Sequence, residues 1–220
     1  MRGLISSPAE LLFALVYTLP AVLLAVSLHE FAHGFVSYKL GDPTPKSDGR
    51  LSLNPFHHLD LIGTLCLLVF HFGWAKPVQV NPRYYKNPKA GMAVTALAGP
   101  IMNFLVAFAG VLGMGILYRA TGGYGGKVTQ YFFNLFQYIA IINIGLGSFN
   151  LIPIPPLDGS KVLGAVLPSR IYFKYMRYER YGSILLIVLL FVGVLSIPLN
   201  FVQQGIFSGM WNVMRLIVGI

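Results

Sequence analysis

His29-Glu30-Phe31-Ala32-His33 sets two histidines four residues apart with a glutamate between them. On a helix that spacing puts both imidazoles on one face, where they can share a metal ion, and Glu30 falls beside it. The chemistry this suits is hydrolysis on zinc: neutral imidazoles bind the ion, and the carboxylate takes a proton from water. The setting sharpens the reading, because the helix around the motif is apolar from Leu11 onward. Ionisable groups in such a helix cost several kcal/mol unless they are paired, hydrated or metal-bound. A solvated helix end at the membrane surface is the plainer alternative.

A catalytic zinc ion takes three protein ligands and keeps one position open for water. The third ligand can be sought by elimination among seven carboxylates. Glu10 sits at a helix start, Asp42 and Asp48 lie in a polar loop, and Glu179 lies in a basic segment, which leaves Asp60 and Asp158. Asp158 follows Asn150-Leu151-Ile152-Pro153-Ile154-Pro155-Pro156-Leu157, whose prolines break a helix. Irregular backbone at membrane depth is tolerated only around a protein-lined or wet cavity, which is where a ligand would sit. The expected set is therefore one Zn2+ on His29, His33 and Asp158, with Glu30 as the base. Asn150 and Asn103, both in apolar helices, are candidate donors to an oxyanion or to substrate backbone; a helix-to-helix hydrogen bond is the alternative. His58 and Asp60 either orient a ligand or close the site, or serve the interface structurally. His57 and His71 have no assigned partner, and Cys66 reads as a small buried apolar residue.

The elements that must position these groups follow from composition. Of 220 residues, 55% are hydrophobic and 10% charged, against about 25% charged in a soluble domain, so most of the surface must face lipid. One cysteine excludes an intrachain disulfide framework and a Cys-rich zinc site. A net charge of +9 would suggest nucleic acid in a soluble protein; in this chain it reads as topology, with anionic lipid headgroups as the partner. Runs 11–38, 90–118, 128–157 and 181–214 are long enough to span a bilayer. The first reads as a retained helix rather than a cleaved signal, because its apolar pattern outlasts a signal core. Pro198 and Asn200 divide the last into two segments, of which the second either crosses or lies in the interface. The run 61–75 is short for a span and reads as re-entrant or buried. Residues 76–81 form either a short edge strand or a plain loop. As an edge, with the Val78 or Val80 amide facing outward, the segment would pair with an unwound substrate. The fold expected is an all-α polytopic membrane protein, residues 1–220 as one domain, with about four to six transmembrane helices and a short re-entrant or β-like segment.

If 61–75 does not cross, the basic residues from Lys39 to Lys89 and from Lys161 to Arg180 share one face, and Arg2, Arg119 and Lys127 take the other. That face should be cytoplasmic. His29, His33 and Asp158 then all lie near it, at one depth.

The three segments 29–33, 54–64 and 150–159, with Gly99-Pro100-Ile101-Met102-Asn103, resemble the site-2 protease family of intramembrane zinc metalloproteases. The resemblance is to the compact bacterial type without the PDZ or CBS domains that many relatives add. It implies zinc on two histidines and a distant aspartate, Glu30 as base, a bacterial cell membrane, and transmembrane proteins or peptides as substrates. The rival reading is a membrane zinc transporter or metal sensor using the same groups. Glu30 separates the two: a transport site gains from adding it to the metal, whereas a protease keeps it off, beside the water.

Overall fold

Within lipid, a backbone without water must satisfy itself, and charge-free apolar runs do so by coiling into helices. The computed structural model describes residues 12–58, 60, 63, 76–168, 170–172, 175 and 179–220. Helix α1 (Leu19–Lys39) follows a π-helical turn, and together they make a span from Leu15 to Lys39. Helices α2 (Pro88–Thr121) and α3 (Lys127–Asn150) are the other two long enough to cross. The short α4 (Asp158–Val166) precedes α5 (Glu179–Val192) and α6 (Ser196–Val218), a pair bent by 84° that makes a fourth span if counted as one. The chain is an all-α polytopic membrane protein. Among the described residues no strand forms, and 76–81 is irregular.

Local sequence explains where these elements begin and end. Asn54, Asn81 and Asn87 each precede a proline, adopt extended backbone and accept a hydrogen bond from an amide of the following turn. An Asn cap with Pro at the first helical position starts a helix at little cost, since proline's missing N–H would have been unpaired there. At the other end of α2, Gly122 takes the left-handed conformation (φ 61°) that a side chain would disfavour. Two boundaries differ from expectation. The third apolar run stays helical only to Asn150, because Pro153, Pro155 and Pro156 supply no backbone donor. The last run breaks at Gly193 (φ 78°), not at Pro198, which falls in the first turn of α6 where no donor is required.

Packing in the bundle depends on small residues that let backbones approach. A Cβ on Gly110 would lie 2.9 Å from the Phe136 carbonyl oxygen, and one on Gly147 3.2 Å from that of Pro100, so α2 and α3 meet backbone to backbone. Val111, Ala140, Met214 and Val218 join α2, α3 and α6 in a buried cluster. Lys76 N–H donates to the His58 carbonyl at 2.9 Å, so the two sides of stretch 59–75 leave and return at the same place. That stretch, with His71 and Cys66, lies outside the described residues apart from Asp60 and Gly63.

Candidate active site

His29 and His33 project from one face of α1, their rings 4.5 Å apart and nearly perpendicular. Each is held from behind. His29 Nδ1 lies 2.6 Å from Asn103 Oδ1, and His33 Nδ1 2.7 Å from the Thr95 carbonyl oxygen, both on α2. Pro100 has no N–H to give the Ala96 carbonyl, which loosens the α2 ladder at this level. Both acceptors are oxygens without hydrogen, which assigns the proton of each ring to Nδ1 and leaves a lone pair on each Nε2. Those two Nε2 atoms are 3.0 Å apart.

The third group arrives from the end of α3. Asp158 opens α4 directly after the proline-broken loop, and its Oδ2 lies 3.2 Å from His29 Nε2 and 3.1 Å from His33 Nε2. Three electron pairs thus converge on one buried point. Only a cation makes that attractive: a proton on one ring, or a metal held by all three. The spacings are close to the edges of the tetrahedron generated by zinc bonds of about 2.0–2.2 Å, and two imidazoles with one carboxylate form a known catalytic zinc set. The donor set therefore fits zinc. Lys161 Nζ sits 3.3 Å from the other oxygen, Asp158 Oδ1, one helical turn on. Gly99 forms the floor: a Cβ there would lie 2.5 Å from His33 Nε2 and 2.6 Å from His29 Nε2.

Glu30 is half-buried, and its Oε2 accepts the Val78 N–H at 2.9 Å. The segment 76–81 therefore lies directly against the residue expected to act as base. Its backbone is anchored at three amides, those of Lys76 on His58, Val78 on Glu30 and Asn81 on Asp42.

The other candidates are placed differently. Asn103 is fully buried, and its two amide hydrogens go to the Ala25 carbonyl at 3.1 Å and to Asn143 Oδ1 at 2.8 Å. With no donor left for an oxyanion or substrate, it instead ties three helices together and orients His29. Asn150 donates to the Leu146 carbonyl one turn back, at 3.1 Å. His58 Nε2 contacts the Ser52 carbonyl oxygen at 2.7 Å, and Asp60 accepts the Gly63 N–H at 2.8 Å. Among the described residues, only His29, His33 and Asp158 form a group able to share a metal. His57 accepts, through its carbonyl, a bond from the Arg50 guanidinium.

Sequence reasoning missed Thr95, Asn143, Lys161, Gly99 as the floor, and the bond from the Val78 amide to Glu30. Lys161 could have been found from its three-residue offset to Asp158. It also passed over Asp42, a fully buried carboxylate at the end of α1. Burial alone would raise its pKa, but hydrogen bonds from Asn81, Thr44 and Ser37 outweigh that and hold it below the usual range.

Paired helical histidines facing a loop carboxylate, with a glutamate alongside and apolar spans around them, define a membrane metallohydrolase. Comparison with known proteins gives the family. A model of peptidase family M50 matches residues 115–195. The chain is 39% identical over 186 residues to YwhC of Bacillus subtilis, a protein named as a zinc metalloprotease, covering 83% of this chain and 82% of that one. It is 26% identical to Rip2 of Mycolicibacterium smegmatis, likewise named, over 79% of this chain and 66% of that one. Zinc metalloprotease MJ0392 of Methanocaldococcus jannaschii is 24% identical over 83% of this chain, which spans only 44% of the archaeal protein. No solved structure matches. The chain belongs to peptidase family M50, the site-2 protease family, and is a zinc metalloprotease.

Proposed function

We propose that this protease hydrolyses peptide bonds in or beside the transmembrane segments of membrane-protein substrates, from the cytoplasmic side of a bacterial cell membrane. The observation that carries this reading is the convergence of His29 Nε2, His33 Nε2 and Asp158 Oδ2 among the ends of apolar spans. Charge supports the orientation: Lys39, Lys46, Lys76, Lys86, Lys89 and Lys161 lie on segments at the site end, whereas Arg119 and Lys127 flank the opposite turn, with Arg215 near Arg119 at the end of α6.

In this reading His29, His33 and Asp158 hold the ion, which when bound polarises the scissile carbonyl and makes water more acidic. Asn103 and the Thr95 carbonyl fix both imidazoles as Nδ1–H tautomers, so their Nε2 lone pairs stay available. Glu30, held by the Val78 amide, takes the proton of the attacking water and returns it to the leaving amine. A helical substrate hides its carbonyls in its own hydrogen bonds, so it must unwind before Glu30 and the ion can act on it. Comparing membrane-peptide fragments by mass spectrometry between cells carrying the wild type and Glu30→Gln tests this. Fragments ending inside or next to apolar segments are expected only with the wild type; fragments confined to soluble proteins would contradict the reading.

Segment 76–81 is the proposed docking edge for the unwound substrate. Of the two amides expected to face outward, Val78 and Val80, the first is engaged by Glu30, and Asn81 is held by Asp42, so between Pro77 and Pro82 the free N–H groups are those of Gln79 and Val80. Gln79→Pro or Val80→Pro is expected to abolish cleavage while zinc content stays at the wild-type level. Cleavage at wild-type rates by both variants would place the substrate elsewhere.

A further inference from the structure

Asp42 lies on neither the metal nor the base, yet it is linked to both. It is fully buried just beyond α1, where the chain turns through Gly41 (φ 104°). Its Oδ2 accepts from Ser37 Oγ at 2.7 Å and from the Asn81 N–H at 2.7 Å, and its Oδ1 accepts from the Thr44 N–H at 3.0 Å. An ionised carboxylate only accepts, so it fixes the direction of every hydroxyl behind it. Ser37, donating to Asp42, must accept from Tyr85, whose OH is 2.7 Å away. Tyr85 in turn can only accept from Thr95 Oγ1, at 3.2 Å. Thr95 is the residue whose carbonyl holds His33 Nδ1. Asp42, Ser37, Tyr85, Thr95 and His33 are all buried, so along this branch none has water as a ready substitute partner.

The second branch runs through Asn81. Binding its amide to Asp42 fixes one end of segment 76–81, Lys76 on His58 fixes the other, and between them Val78 holds Glu30. Val78 also packs on the helix beside the motif, its Cγ1 3.3 Å from where a Cβ of Gly34 would lie.

We infer that Asp42 is a positioning residue for the reaction, setting His33 through Ser37, Tyr85 and Thr95, and setting the Glu30 partner segment through Asn81. This rests on the reading of His33 as a metal ligand and Glu30 as the base. Asp42→Asn leaves a single, uncharged acceptor oxygen, which in neither orientation can accept from Ser37, Asn81 and Thr44 together, whereas Tyr85→Phe removes a single hydroxyl and cuts only the His33 branch.

The test uses the full-length protein loaded with cobalt(II), whose visible absorption reports ligand geometry, and zinc affinity measured by chelator competition. Tyr85→Phe is expected to change the cobalt spectrum and weaken zinc about 10-fold, and Asp42→Asn about 10- to 100-fold. At saturating zinc, Asp42→Asn should lower the cleavage rate more than Tyr85→Phe does. Adding Tyr85→Phe to Asp42→Asn should weaken zinc by less than it does alone, because the branch is already broken. Wild-type spectra and affinities in Tyr85→Phe and in folded Asp42→Asn would overturn the inference. Should Asp42→Asn fail to fold, Tyr85→Phe alone decides the His33 branch. His33→Ala is the separate control: unchanged zinc binding there would sink the ligand assignment itself.

Discussion

Replacing Gly99 by alanine is expected to abolish zinc binding. The added methyl would stand 2.5 Å from His29 Cε1 and His33 Nε2 and 2.6 Å from His29 Nε2, where non-bonded contacts normally run about 3.5–4.0 Å. Neither ring has room to retreat without losing the bond behind it, His29 to Asn103 and His33 to Thr95. Helix α2 is equally constrained, since Gly110 brings its backbone against that of α3. A loss of at least about 100-fold in zinc affinity follows, the upper end of what disturbing a ligand's supports costs. Chelator competition on purified protein measures it. Gly145→Ala is the control, since a Cβ there meets nothing within 4 Å. Wild-type affinity in Gly99→Ala would show that the imidazoles do not face α2 as described.

Gly159→Ala should be nearly as damaging, by a different route. A Cβ at 159 would lie 2.5 Å from the Leu151 carbonyl carbon and 2.7 Å from the Ile152 oxygen, both backbone atoms that no rotamer change can move. The first turn of α4 and the loop before it must then separate, and the neighbouring Asp158 carboxylate leaves the two Nε2 atoms. Zinc affinity is expected to fall by about 10- to 100-fold while helix content by circular dichroism is unchanged. Retained affinity would mean that the loop is soft and that Asp158 is positioned by some other contact.

What the sequence reveals of this site, and what it hides, follows from how each residue acts. His29, Glu30 and His33 belong to one helical turn, so their geometry is written in their spacing. Asp158 could be reached because a carboxylate after three prolines has few other roles at membrane depth. The spans were legible because each needs an unbroken apolar run, although the break in the last one was assigned to Pro198 when Gly193 makes it. Asp42 looked like a loop residue because its partners come from Ser37, Thr44 and Asn81, which only the fold brings together. The pairing of the Val78 amide with Glu30 had no signature at all, since every non-proline residue carries the same N–H. Asn103 was noticed for being polar in an apolar helix, but whether its amide faced substrate or helices depended on Ala25 and Asn143, far away in sequence.

Zinc content and cleavage measured together on Glu30→Gln test the central claim, that two histidines and Asp158 hold the ion while Glu30 stays beside it as base. Glutamine keeps the size of Glu30 and an oxygen to accept the Val78 N–H, but it cannot take a proton from water. The account predicts one zinc per chain, as in the wild type, with cleavage lowered by about 100- to 10,000-fold, the range general-base catalysis supplies. Loss of zinc together with loss of activity would make Glu30 a ligand and contradict it, as would full zinc with undiminished cleavage.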